Sequence, residues 1–232
     1  MFADPFIQSG GRLNCKPAEL KSKISRVKAL LFDWDGIFNS GEKGEIPSSF
    51  NVIDSMGVNM LRFGYYLNDG EIPYTAVVTG QNNKTAFDWA KREHLDAVYF
   101  HVKNKVELLH RLESKCGIHR DEVLFAFDDI LDLSLAREAG VRMLVRHKAN
   151  PLFIDYCIKN KLCDYTTNCS GSENAVREIS ELVLSAIGKF EETLEKRVAF
   201  EGDYLTYLQK RNLKETGILE ADNGIFRQVQ RD

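Results

Sequence analysis

Several short apolar runs in this 232-residue chain end in residues that can handle a phosphate group or a metal ion. The first, VKALLFDWDG, closes on Asp33 and Asp35. Two residues apart at a strand end, these carboxylates lie on one side, where they repel unless a cation neutralises them or one keeps a proton. The run YTAVVTGQ closes on Thr79 and Gly80. A hydroxyl and free backbone N–H groups at such a turn can hold phosphate oxygens, or Thr79 can simply cap the helix that follows. Lys105, in HVKNKVELL, opens a helical segment, where a cation is unfavourable beside the positive end of the macrodipole unless an anion lies near. The alternative is a solvated surface lysine. A further run, VLFAFDDILDLSLAREAG, closes on Asp128 and Asp129, with Asp132 one helical turn later. Three carboxylates in five positions exceed what helix capping needs, and hard oxygen ligands of this kind suit Mg2+.

The elements that must position these residues follow from periodicity. Residues 27–32, 74–78, 97–100, 123–127 and 141–145 are apolar runs too short for buried helices and read as strands. Between them, 56–67, 84–94, 105–116 and 131–139 carry helical spacing. Strand and helix alternate, which predicts an α/β fold: a doubly wound, Rossmann-like parallel sheet that binds ligands at the carboxyl ends of its strands. Residues 37–52 break the rhythm, because turn-rich GEKGEIPSS lies between IFN and FNV, and a β-hairpin inserted after the first strand is the simplest reading. Residues 172–189 read as an amphipathic helix with Ser172 at its N-cap. The expected division is an N-terminal extension over 1–25 with a helix at 17–24, one catalytic domain over 26–188, and a C-terminal helical extension and tail over 189–232.

Composition narrows the function further. With 31 basic and 34 acidic residues, a net charge of -3 and a pI near 6.0, the chain has no global basic field for a polyanion, so nucleic acid is not an expected partner. No segment approaches the length of an apolar membrane span, and five dispersed cysteines without CxxC spacing argue against a disulfide framework. A soluble cytoplasmic protein is expected.

Taken in order, an acidic pair, a threonine, a lysine and an acidic cluster at successive strand ends resemble the haloacid dehalogenase phosphatases, whose motifs match DxDG at 33–36, TG at Thr79, the lysine at Lys105 and DDxxD from Asp128. FNVIDSMGVNML, VVTG, the NK pair at Asn104 and SENAVREISELVL are similar to the 3-deoxy-D-manno-octulosonate 8-phosphate phosphatases over about residues 26–188. The resemblance implies a core without a large cap domain and a homotetramer whose neighbouring subunits close each site. Ile37, Phe38, Ile46, Phe50 and Val52 of the inserted hairpin would supply the contacts between subunits. It also implies a small phosphorylated substrate. Asp33 would be the nucleophile and Asp35 the acid and base. Mg2+ would be held by Asp33, the Asp35 carbonyl and Asp128. Thr79, Gly80 and Lys105 would stand on the phosphoryl oxygens, supported by Asp129 and Asp132.

The chain departs from that family at Ile53, where FNVRDG is usual, at Gln81, where TGR is usual, and at Phe127, where a glycine gives room beside the metal. Two arginines absent from the substrate side imply weaker recognition of an acidic sugar. The same departures support a second reading, a catalytically silent module for oligomerisation or partner binding. A phospho-receiver domain shares the inventory but carries its aspartate on a middle strand, whereas here the paired acids close the first.

Overall fold

The computed structural model describes residues 1–43 and 49–230. In chain order it contains α1 (Asp4–Gln8), β1 (Arg12–Leu13), α2 (Pro17–Ile24), β2 (Ala29–Phe32), α3 (Val52–Asp69), β3 (Tyr74–Val78), α4 (Lys84–Arg92), β4 (Ala97–Phe100), α5 (Glu107–Cys116) and β5 (Val123–Phe127). There follow α6 (Leu133–Ala136), β6 (Val141–Leu144), α7 (Pro151–Lys159), β7 (Tyr165–Thr166), α8 (Ala175–Ala186), α9 (Phe190–Ala199), α10 (Asp203–Asn212), β8 (Gly217–Asp222) and β9 (Ile225–Gln228).

Among the described residues, nine strands join one sheet in the order β1-β7-β6-β5-β2-β3-β4-β8-β9. The strands from β7 to β8 in this order pair parallel, and the two edges, β1 and β9, pair antiparallel. Because β3 and β4 lie on one side of β2 while β5 and β6 lie on the other, the strand order reverses between β2 and β5. A crevice opens at the carboxyl ends of strands at such a reversal, and Asp33 and Asp128 sit beside it.

The period-two alternation of each strand divides the core into two layers. Leu30, Phe32, Val77, Val98, Leu124 and Ala126 face α2, α3, α4 and α8 on one side. Leu31, Val78, Tyr99, Phe125 and Phe127 face α5, α6 and α7 on the other. Burial on both faces explains why these strands read as unbroken apolar runs.

The insertion after β2 differs from its expected form. Among the described residues no strand occurs between β2 and α3, and Asn51, expected in the second arm of a hairpin, instead caps α3 by accepting the Ile53 N–H at 2.8 Å. Residues 44–48, the centre of the expected hairpin including Ile46, lie outside the described residues. Ile37 and Phe38 are buried in the chain's own core, where Phe38 packs against Trp34 and Trp89 at ring-centroid distances of 5.0 and 4.6 Å. They leave no surface for a neighbouring subunit. Val52 is exposed.

Ser172 is not the N-cap of α8. It lies inside a short 3-10 turn, Gly171–Glu173, capped by Ser170, and α8 starts only after Asn174 turns through a left-handed conformation at φ 69°. The C-terminal tail forms the β8–β9 hairpin across Asn223 and Gly224, with φ values of 46° and 81°. Both residues tolerate positive φ, which a two-residue turn of this hand requires.

Candidate active site

The turn after β2 carries the first two carboxylates, and its backbone is held from beneath by Trp34, which is fully buried and tilted 5.5 Å from Trp89. Such aromatic pairs add about 0.5–1.5 kcal/mol each beyond their burial, which fixes the turn against the core. Gly36 follows at φ 81°, and a Cβ there would stand 2.0 Å from Asp128 Oδ2. Only glycine therefore lets the two acidic strand ends approach each other.

A cavity of about 500 Å3 opens at these strand ends. It is lined by Asp33, Asp35, Thr79, Gly80, Lys105, Asp128, Asp129 and Asp132, so the residues expected to act on the phosphoryl group or the metal, with their supporting acids, meet in one place. Lys105 is not a solvated surface lysine. It is buried, its Nζ lies 2.8 Å from Asp33 Oδ1, and it also bonds Asp132 Oδ1. Burial alone would lower its pKa, but Asp33 and Asp132 outweigh that and hold the ammonium above its ordinary value.

The acidic cluster after β5 divides its labour. Asp132 accepts the N–H groups of Asp128 and Asp129, both at 3.3 Å, besides bonding Lys105. Asp129 caps the same turn by accepting the Ile130 N–H at 2.7 Å. Among the described residues, Asp128 alone of the three has a buried oxygen without a hydrogen-bond partner, Oδ1, while its Oδ2 lies 2.9 Å from His147 Nε2. Thr79 Oγ1 accepts the Gln81 N–H at 3.1 Å, so the hydroxyl organises its own turn, whereas Asn83 caps α4. Asp35 pairs with Lys43 at the mouth.

These residues fit a divalent cation. Asp33, Asp128 and Asp132 can each offer an oxygen with all three within 4.8 Å of one another. Burial pushes the Asp33 carboxyl up to about 8, with Lys105 opposing and Asp132 and Asp128 adding to the rise. Asp128 is raised as well, chiefly by burial. A group of carboxylates this short of positive charge, with one buried oxygen left over, can accept a divalent cation.

Two features were not foreseen. Phe127, expected to crowd the metal, points into the opposite core layer, fully buried and stacked on Phe125 at 5.7 Å, and does not line the cavity. The strand's alternation decides this, because Phe127 shares the face of Val123 and Phe125. His147, by contrast, lines the cavity and holds Asp128, which raises the imidazole above its ordinary value. It follows the run at 141–145, and the only signal for it in the sequence is that position after a strand's carboxyl end, where ligands gather. Gln81 lines the cavity, whereas Ile53 is exposed outside its lining.

The fold matches that of a class of hydrolases. A putative hydrolase of the HAD superfamily from Legionella pneumophila superposes with a TM-score of 0.65 at 25% identity, over 82% of this chain and 95% of that one. Within the class the similarity is to one group. The 3-deoxy-D-manno-octulosonate 8-phosphate phosphatase KdsC of Escherichia coli strain K12 is 28% identical over 180 residues, 75% of this chain and 88% of that protein. The corresponding phosphatase of Moraxella catarrhalis, solved with magnesium ion, phosphate ion and a KDO molecule, superposes with a TM-score of 0.64 at 26% identity, over 79% of this chain and 98% of that one. No protein-family model matches the chain.

Proposed function

We propose that this chain is a Mg2+-dependent phosphomonoester hydrolase acting on a small sugar phosphate related to 3-deoxy-D-manno-octulosonate 8-phosphate. The observation that carries this reading is the convergence of Asp33, Asp35, Thr79, Lys105 and Asp128 in one cavity at the strand reversal. In this reading Asp33 attacks phosphorus in line as the bond to the sugar oxygen breaks, forming an aspartyl phosphate. Asp35 gives its proton to the departing oxygen, then takes one from the water that hydrolyses the intermediate to free phosphate. Lys105, the Thr79 hydroxyl and the Gly80 N–H receive the phosphoryl oxygens. Asp33, the main-chain carbonyl of Asp35 and Asp128 would hold Mg2+, which neutralises charge on those oxygens. Asp129 and Asp132 support the site by fixing its loop and orienting Lys105.

The silent-module reading drew on Phe127, Gln81 and Ile53. Phe127 lies in the core, away from the cavity, and offers that reading no support. All five cysteines are free thiols, which suits a reducing compartment, and we place the enzyme in the cytoplasm. No helix among the described residues is long and apolar enough to cross a membrane. We further propose a homotetramer. Support comes from exposed Leu131 at the cavity mouth, with Ile130 and Val52 also exposed, an apolar set that a neighbouring subunit would cover. Phosphate release from 3-deoxy-D-manno-octulosonate 8-phosphate, with Mg2+ and with EDTA, tests the reaction. No release from it or from a panel of sugar phosphates would overturn the reading. Light scattering of a fully active monomer would overturn the assembly.

A further inference from the structure

A second cavity, of about 570 Å3, lies at the carboxyl ends of β6 and β7. Its wall contains Arg146, Lys148, Asn168, Ser170 and Ser172, and it shares His147 and Ala149 with the reaction cavity. On the other flank of the same loop, a cleft of about 260 Å3 adds Arg12 from β1. Three cations thus border one region in a chain whose net charge is -3. Among the described residues, neither Arg146 nor Lys148 is within ion-pairing distance of a carboxylate. The one acid in the wall, Glu173, is already engaged. Its Oε2 accepts the Ser170 N–H at 3.1 Å and the Ser170 hydroxyl at 2.8 Å. Those two bonds come first in holding its carboxyl below the ordinary value, with Lys148 and Arg146 contributing less.

The position of this cavity matters as much as its charge. Gly171, between the two serines, packs so closely on the turn after Asp35 that a Cβ would stand 2.2 Å from Gly36 O and 2.4 Å from Asn39 O. The serine turn is therefore seated on the turn that carries Asp35, the residue that must meet the leaving-group oxygen. In the phosphatase reading the sugar leaves from the Asp35 side, and Gly36 beside Asp35 packs on the turn that bounds the basic wall. Gln81, on the lining of the reaction cavity, is neutral and offers the substrate's second anionic group no charge.

The geometry points to Arg146 and Lys148 as a subsite for the carboxylate of an acidic sugar phosphate, with the Ser170–Ser172 turn beside it. Arginine offers a planar fork for the two carboxylate oxygens, lysine a point charge, and the hydroxyls further donors. The assignment rests on the phosphatase reading for its choice of ligand. It differs from that reading in which residues select the substrate.

Calorimetric titration of free 3-deoxy-D-manno-octulosonate, which requires no turnover, tests it directly. The wild-type chain with Mg2+ should bind the sugar acid, R146A/K148A should weaken the Kd at least tenfold, and the charge-retaining R146K/K148R should recover most of the loss. In kinetics, the double alanine variant should raise KM for the acidic substrate and lower its kcat/KM, relative to that for arabinose 5-phosphate, at least tenfold. Undiminished sugar-acid binding in R146A/K148A, or no binding by the wild type, would overturn the subsite. A second equivalent of inorganic phosphate, bound more tightly than the sugar acid and lost in R146A/K148A, would make this an independent anion site and also overturn it. Sugar-acid binding lost in R146A/K148A, in a wild-type chain that hydrolyses no phosphomonoester, would uphold the subsite and sink the phosphatase reading.

Discussion

Among the described residues, two groupings bring three potential ligand atoms within 4.8 Å, and they are opposites. One contains Cys15, Glu19 and Asp164, the other Asp33, Asp128 and Asp132. Asp164 is almost fully buried, yet it is saturated: the Arg142 guanidinium reaches it at 2.8 and 3.0 Å, the Arg142 N–H at 2.9 Å and Lys23 Nζ at 2.8 Å. Burial would raise its carboxyl, but these partners overcome it and hold the group below its ordinary value. At the other grouping a single lysine serves Asp33 and Asp132 together, burial wins, and Asp33 rises to about 8. Proximity of acids therefore says little about a metal. What distinguishes the two places is whether the protein itself supplies enough positive charge and enough N–H donors.

The largest expected effect removes the nucleophile. Asp33→Asn should lower Mg2+-dependent phosphate release at least a thousandfold while the circular dichroism spectrum stays unchanged, since an amide keeps the shape but cannot attack phosphorus. Residual turnover near the wild-type rate would assign the nucleophile elsewhere. Next comes the saturated grouping. Asp164→Asn leaves Arg142 and Lys23 facing an amide and should cost about 3 kcal/mol in urea denaturation, without altering the Mg2+ requirement. Because the folded carboxyl is held low, its contribution is complete above the unfolded value near 3.9 and disappears as pH falls through the folded value. The stability gap between wild type and Asp164→Asn should narrow in acid, and a constant gap would show that Arg142 and Lys23 do not stabilise the charge.

The contrast between the two groupings was only half legible in the sequence. The site acids stand at the ends of apolar strands, and the order of those strands in an α/β sheet brings them together. Whether an acid is saturated depends on partners far away in the chain: Lys23 and Arg142 reach Asp164 across 141 and 22 residues. No local pattern reports that. Phe127 was misread because its strand face was ignored, although alternation alone places it with Phe125. The terminal hairpin was missed because its strands carry charges, although Asn223 and Gly224 between them are a strong turn signal. The insertion after β2 failed as a hairpin on its second arm because Asn51, a good cap, gives Val52 to a helix.

Asp54 offers an intermediate case, a buried carboxylate to which, among the described residues, neither a lysine nor an arginine side chain is bonded. It accepts the Arg177 N–H at 2.8 Å, yet burial pushes it up to about 7. The folded state then holds a proton that the unfolded state has lost between about pH 4 and 7, so this group makes stability fall as pH rises through that window. Asp54→Asn should remove about 4 kcal/mol of that fall across the window, read as the difference from wild type so that Asp33 and Asp128 cancel. An unchanged slope would mean the α8 N–H groups already hold the carboxylate ionised.

The smallest expected effect bears most directly on the unsaturated grouping. Asp128 has one oxygen near His147 and one buried oxygen without a partner, and Asp132 and Asp129 are both engaged by backbone N–H groups. If a cation completes this place, Asp128 is the ligand whose loss it should feel without the nucleophile being touched. Asp128→Ala should raise the Mg2+ concentration for half-maximal phosphate release about tenfold. It should also shrink the rise in melting temperature that Mg2+ gives the wild type, because a cation that binds only the folded state stabilises it by mass action. Asp164→Asn, equally acidic in origin and more deeply paired, should leave both readouts at their wild-type values. Equal Mg2+ responses in the two variants would place the cation away from Asp128 and remove the physical distinction between the groupings.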